Sequence, residues 1–387
     1  MRLAQRRAVD CLIVLVFSIA LRLPLLMHPW THSDSPAFLK ASQYIAGELS
    51  TAEAPFRLAY PLYPLLSIAI GPLLASFVPS VLTPLFVFLA ASLAFGATRP
   101  SFLAGLICAA SPQLVRYSGV SLYDSLFLLM TAIVTVVLVR LAKNPSYTNA
   151  CIAGACCGLA WATRGQGALY FPAIPVVLWM VARARFWQLA GLALLGFLAF
   201  GATPKASMVL LAKHRGAKIE NRACMEQLVE DGILYSKGIE YRNSVTYAPD
   251  YPNPCELDWG QFIRKQERAY PRAVFANASH MLYGEVAGAL SPFVVLAFPL
   301  SVGTLWMCRR NRVLLTALSV MAGGLLAAAM FVQLQDRYLF PLVIEVSIVA
   351  GSGLSLLWSR AKKASALLLG LILLAGCHTA FLAFATQ

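Results

Sequence analysis

The sequence predicts an all-α protein that threads a bilayer many times, and three observations predict it. Of 387 residues, 59% are hydrophobic and only 12% charged, about half the charged share of a soluble domain. Apolar stretches of about 18–22 residues, the length that crosses hydrocarbon, recur from one end of the chain to the other. Short alternating segments, the mark of a membrane barrel, do not.

The elements follow in order. The first stretch, 8–27, lies behind Arg2, Arg6 and Arg7 and lacks a small-residue cleavage site, so it reads as a retained span with a cytoplasmic N-terminus. Further spans are expected at 80–98, 101–117, 124–142, 148–164, 167–183, 187–208, 288–307, 313–332, 338–358 and 364–384. That makes about eleven, as roughly 20-residue apolar windows count them. The segment 60–79, "YPLYPLLSIAIGPLLASFVP", is apolar but carries four prolines. If it does not cross, Arg99, Arg140, Lys143, Arg183, Arg185, Arg309, Arg310, Arg312, Arg360, Lys362 and Lys363 share the side of the N-terminus, as the positive-inside bias requires. It is therefore expected to lie along the membrane within a first external segment, 28–79.

Three units result: a transmembrane catalytic module at 1–204, an external segment at 205–287 and C-terminal spans at 288–387. The basic loops account for much of the net charge of +14. Arg22, Lys40, Arg57, Arg116, Arg164 and Arg337 remain, all expected near the external ends of spans or in the first external segment. Arg22 and Lys40 read as anchors that snorkel to the interface. The other four stand where positive-inside statistics disfavour arginine, and suit an anion site.

The same side collects acids. Asp34 follows the first span in "SDSP", and Asp124 opens the span 124–142, where a helix-cap role is the ordinary alternative. Asp336, Arg337 and Tyr338 stand at the mouth of a late span, where a local ion pair and an aromatic anchor would also fit. Seven cysteines fall in or beside apolar segments. Cys224 and Cys255 alone lie in polar sequence, 31 positions apart, and are expected to form a disulfide in an oxidising compartment. No zinc spacing and no Gly-rich phosphate loop is present.

Taken in order, these motifs resemble the GT-C superfamily of integral-membrane glycosyltransferases, particularly bacterial protein-mannosyltransferase and aminoarabinose-transferase types. The likeness rests on Asp34 after the first span and "AYPLYPLLSIAIG" at 59–71. It continues with Ser111-Pro112 through "RYSG" to Asp124, Gly158 to Arg164, and Arg337-Tyr338 with Pro341. Asp34 stands alone where many relatives pair acids, and without the soluble external domain of longer relatives acceptor recognition is expected to fall to 205–287.

The resemblance implies a single sugar carried on a polyprenyl phosphate and transferred to a glycan, lipid or protein acceptor, with no nucleic-acid partner. Asp34 would be the general base, and Asp124 would orient the acceptor or complete a metal site. Arg57, Arg116, Arg164, Arg337 and Tyr338 would hold the donor phosphate, while Tyr60, Tyr63 and Glu285 would meet acceptor or sugar. A divalent cation, Mg²⁺ or Mn²⁺, would have to rest on Asp34 and Asp124, and a single carboxylate is a poor site for one. The expected setting is the bacterial inner membrane with the site facing the periplasm. The alternatives are a lipid-linked-sugar flippase, and a polymerase or ligase that takes a diphosphate-linked oligosaccharide.

Overall fold

A computed structural model describes residues 2–29, 35–49, 53–54, 58, 60–96, 98–215, 218–219, 297–331 and 340–385. Among them the chain is helical throughout apart from a parallel ladder of two residues a side, β1 (Glu53–Ala54) with β2 (Lys218–Ile219). The helices are α1 (Arg2–Met27), α2 (Ser35–Ala46), α3 (Leu62–Ile70), α4 (Leu74–Phe95), α5 (Thr98–Ala109), α6 (Pro112–Arg116) and α7 (Asp124–Lys143). They continue as α8 (Tyr147–Thr163), α9 (Ala173–Val181), α10 (Phe186–His214), α11 (Ala297–Arg310), α12 (Arg312–Phe331), α13 (Leu342–Arg360) and α14 (Lys362–Ala385). Among the described residues, five stretches are long and apolar enough to cross a bilayer: Gln5–Met27, Leu74–Phe95, Asp124–Lys143, Arg183–His214 and Leu342–Arg360. Arg99–Ala109, Gly165–Val181 and Arg312–Leu326 are shorter apolar helices. The chain is a multi-pass membrane protein.

Side-chain size sets the packing. Gly154 and Gly158 on α8 face α10 so closely that a Cβ on Gly154 would lie 1.9 Å from the carbonyl oxygen of Ala193. On the opposite helix, Gly196 would meet the oxygen of Cys151 at 2.6 Å. Small residues bring backbones together where lipid offers no hydrophobic drive for helix association. α13 uses the same device against α5 and α11, through Gly351, Gly353 and Gly303. Outward-facing Leu12, Val16, Leu195, Leu210, Leu367 and Leu374 remain exposed, as a lipid-facing surface requires.

Three expected boundaries shift. The segment 60–79 is not one element: α3 stops at Gly71, whose φ of 85° only glycine adopts readily, and residues from Leu74 onward join α4. The expected span 101–117 breaks at Ser111, held extended before Pro112, so α5 ends and the short α6 begins. The boundary at 204/205 falls inside α10, which runs through Pro204 to His214. Its end is held by burial of Ala212 in a cluster with Ala41, Tyr44 and Leu58, and by Arg215, which donates to the carbonyl of Tyr44. A fourth correction concerns Arg22. It does not snorkel: it is fully buried, donating from Nε to Ser80 Oγ at 2.8 Å and from Nη1 to the carbonyls of Ser18 at 3.0 Å and Ala109 at 3.2 Å.

Candidate active site

The break before Pro112 shapes the site. It lets residues 111–123 leave the α5 axis through α6 and a 3₁₀ turn at Tyr117–Gly119, and re-enter the bundle as α7 with Asp124 in its first turn. An acid there is favoured by the helix dipole, and the N-cap position itself is held by Tyr123, which makes no side-chain capping hydrogen bond. Asp124 Oδ1 accepts from Arg164 Nη1 at 2.5 Å, and the two side chains are only 1% and 3% exposed. Arg164 stands where α8 ends, its backbone extended at φ −155° and ψ 141°. The tight return after it depends on Gly167, where a Cβ would lie 2.2 Å from the carbonyl carbon of Ala160. The guanidinium also lies over the rings of Tyr123 at 5.0 Å and Phe127 at 5.6 Å. Asp124 Oδ2 is buried and has no hydrogen-bond partner among the described residues.

Aromatic side chains extend this pair toward α3. Tyr60 stacks on Tyr123 with centroids 6.3 Å apart and planes at 21°. Its hydroxyl lies 3.2 Å from where a Cβ on Gly165 would stand, so that glycine admits the tyrosine beside Arg164. Lys205 Nζ sits over the Tyr60 ring at 4.8 Å and the Trp161 ring at 4.6 Å, geometry that attracts a cation to two π-faces. Phe38, from α2, contacts Tyr123 at 4.6 Å and Tyr63 at 5.3 Å. The result is a carboxylate and two cations within one aromatic enclosure.

Of the expected site residues, the structure therefore brings together Asp124, Arg164 and Tyr60. Arg116 ends α6 on the same turn, with its side chain exposed. Tyr63 is 1% exposed, and its hydroxyl meets the Pro72 carbonyl at 2.9 Å and Ser76 Oγ at 3.1 Å, so it belongs to the framework behind the enclosure. Burial pushes its phenol up to about 12, which keeps the proton on the oxygen. Asp34, Arg57, Arg337, Tyr338, Glu285, Cys224 and Cys255 lie outside the described residues.

No group of three or more His, Cys, Asp or Glu that could hold a metal occurs among the described residues. Asp124 already binds a guanidinium through one oxygen, so these residues do not by themselves make a divalent-cation site. Lys205 was missed because the sequence reading assigned it to the polar segment that begins there. A lone cation in "FGATPKASMVLL" is the signal that finds it, since an ionisable residue within a span is a functional candidate.

A family model described as dolichyl-phosphate-mannose-protein mannosyltransferase matches residues 69–205, the stretch that holds Asp124, Arg164 and Lys205. Comparison with curated proteins gives no match. Among solved structures, ArnT from Cupriavidus metallidurans in the apo state aligns with TM-score 0.59 at 14% identity, over 95% of this chain and 63% of that one. The same protein bound to undecaprenyl phosphate gives TM-score 0.59 at 16% identity, over 94% and 62%. The Archaeoglobus fulgidus oligosaccharyltransferase in the apo form gives TM-score 0.50 at 16% identity, over 98% and 55%. The chain thus spans a little over half to about 63% of the length of these structures. The chain shares the fold of these structures, and the family model matches the stretch of it that holds the candidate site.

Proposed function

We propose that the chain transfers a single sugar from a polyprenyl-phosphate donor to a glycan, lipid or protein acceptor at the periplasmic face of a bacterial inner membrane. The observation that carries this reading is the aromatic enclosure in which Arg164 and Lys205 face the α3 side of the site. A bound undecaprenyl phosphate in one ArnT structure supports a donor of that chemistry.

In the proposed reaction the acceptor oxygen attacks the anomeric carbon. Its proton passes to the Asp34 carboxylate, and the bond from that carbon to the phosphate oxygen breaks with its electron pair on the phosphate. Polyprenyl phosphate leaves without needing a proton. Charge therefore grows on the phosphate, and fixed cations stabilise the transition state more than the ground state. Arg164 and Lys205 supply that charge, joined by Arg57, Arg116 and Arg337 with Tyr338. Asp124 holds Arg164 in place through the 2.5 Å contact rather than acting as a second base. Asp34 immediately precedes α2, whose Phe38 touches Tyr123. Arg337 and Tyr338 precede Phe340, which packs on Tyr117 at 4.7 Å, next to Arg116. Tyr60 meets the sugar, and the 205–287 segment, with Glu285 and a Cys224–Cys255 bridge, contributes acceptor recognition.

The test gives purified protein in nanodiscs a panel of radiolabelled polyprenyl-phosphate sugars with membranes from its host. Label should move to an acceptor in the wild type and not in Asp34→Asn. Transfer only from a diphosphate-linked oligosaccharide would establish the ligase alternative. Movement of donor across the bilayer without bond cleavage would establish a flippase.

A further inference from the structure

The turn that carries Asp124 is held from behind by two serines of α4 spaced one helical turn apart. Ser80 Oγ donates to the carbonyl of Leu114 at 2.9 Å, near the start of the turn. Ser76 Oγ donates to the carbonyl of Leu122 at 2.9 Å and accepts from the Leu122 amide at 3.1 Å, two residues before Asp124. Both serines are fully buried. Residues four apart lie on one helix face, so α4 grips the two ends of the 114–122 excursion with one stripe. Ser76 has a third partner, the Tyr63 hydroxyl at 3.1 Å. A hydroxyl has one proton and two acceptor lone pairs. With its proton on the Leu122 carbonyl, Ser76 accepts from the Leu122 amide and offers its second lone pair to Tyr63, whose single proton it shares with the Pro72 carbonyl at 2.9 Å.

We infer that Ser76 is the positioning residue of the site, fixing Asp124, and through it Arg164, in register with α3. Nothing about transfer chemistry selects a serine there: its hydroxyl is sealed in the bundle and touches no open space. What it joins is informative. Tyr63 lies in α3, three residues from Tyr60, which faces Lys205, and Leu122 leads into Tyr123, which stacks on Tyr60. The two walls of the enclosure are thus tied by one oxygen. A shift of about 1 Å in a catalytic group costs on the order of a hundredfold in rate, and such a tie prevents it. The inference rests on the reading of this enclosure as the transfer site.

The experiment is Ser76→Ala in the full chain in nanodiscs, read by hydrogen exchange and by kinetics. The substitution is nearly isosteric and leaves the Leu122 amide bonded to the Val120 carbonyl at 2.9 Å, so the fold is retained. Exchange of the peptide spanning 120–124 is expected to rise at least about tenfold while α8 and α10 stay as in the wild type. Turnover is expected to fall at least about tenfold, with polyprenyl-phosphate affinity within about twofold. Tyr63→Phe, which keeps the Ser76–Leu122 pair, is expected to leave the exchange at Leu122 within about twofold of wild type. Unchanged exchange at 120–124 in Ser76→Ala overturns the inference. So does a uniform rise across all helices, which marks a merely structural role, or a tenfold rise in Tyr63→Phe. Loosened exchange with turnover intact also overturns it. Exchange needs no substrate, so a wild type inactive on every donor defeats the functional reading and leaves the exchange result standing.

Discussion

Arg22 and Arg164 are both buried arginines, and both hold the 111–124 turn, but from opposite sides and by different means. Arg164 reaches it through a carboxylate, Asp124, and rests against aromatic faces. Among the described residues Arg22 reaches it through neutral oxygens, those of Ser80, Ser18 and Ala109, and its Nη2 has no hydrogen-bond partner there. Ser80 in turn bonds Leu114 at the start of the turn. A guanidinium in apolar surroundings needs compensation. Arg22 receives it from a helix end whose carbonyls lack amide partners, Arg164 from a formal charge. The first arrangement is a staple. The second leaves an oxygen, Asp124 Oδ2, without a hydrogen-bond partner among the described residues, beside a cation.

The largest effect that would break this comparison is at the charged pair. Asp124→Ala leaves the Arg164 guanidinium buried without its counterion, a change that costs about 3–5 kcal/mol. Denaturant unfolding in detergent should show that loss, and adding Arg164→Leu should restore most of it, because removing both charges also removes the desolvation penalty. A single variant that loses less than about 1 kcal/mol would give the pair the energetics of an exposed surface bridge.

Arg22→Met should cost less. Ser80 keeps its bond to Leu114 and the Ser18 carbonyl keeps its place within α1, so the Ala109 carbonyl at the end of α5 is the group left unsatisfied. One buried acceptor is worth about 1–3 kcal/mol. The same unfolding assay checks it. A loss as large as that of Asp124→Ala would mean that Arg22 compensates a charge, and the contrast between the two arginines would collapse.

Sequence alone exposes one half of this contrast. The helical class follows from apolar run length, which is a local property, and Asp124 and Arg164 stand out because each is a lone charge at a span end. What is not legible is which cations are buried. Arg22 and Arg164 look alike in sequence, and only the approach of Ser80 and Ala109 separates them. Ser76 carries no charge and no motif, and its role exists solely because Leu122 lies 46 positions away along the chain yet against its hydroxyl. The breaks at Gly71 and Ser111 were readable from Gly71-Pro72 and Ser111-Pro112, but hydropathy windows average over such punctuation. Asp34 and the late Arg337-Tyr338 motif lie outside the described residues.

Lys205 is a third cation, and it sharpens the comparison because no carboxylate bridges it among the described residues, only the faces of Tyr60 and Trp161. It is half-buried, so it is held less firmly than either arginine and is free to bind an anion. Lys205→Met keeps the aliphatic packing and removes the charge. Polyprenyl-phosphate affinity should fall about tenfold, equivalent to about 1.4 kcal/mol, with unfolding unchanged. Titration of a labelled polyprenyl phosphate into nanodiscs measures it. Equal affinity would return Lys205 to a packing role over Tyr60.

The smallest effect is expected at the other buried acid. Glu345 lies in the first turn of α13, 5% exposed, and neither carboxyl oxygen has a hydrogen-bond partner among the described residues. Tyr170 lies within electrostatic range, but its hydroxyl is engaged with Thr131 at 2.9 Å. Glu345 is therefore the counterpart of Asp124 without an Arg164. Two effects compete when it is replaced by glutamine. The helix N-terminus favours a negative charge by about 0.3–1 kcal/mol. An unpaired buried polar group costs about 1–3 kcal/mol whether acid or amide, and a charge there costs more, so only the extra penalty of the charged carboxylate is relieved by glutamine. The second is at least as large, and glutamine keeps the shape. Glu345→Gln should thus leave stability unchanged or raise it by up to about 1 kcal/mol, the opposite sign from Asp124→Ala. Unfolding of the two variants side by side is the check. A loss beyond about 2 kcal/mol at Glu345 would reveal a partner for its carboxylate and make it a second charged pair rather than a solitary acid.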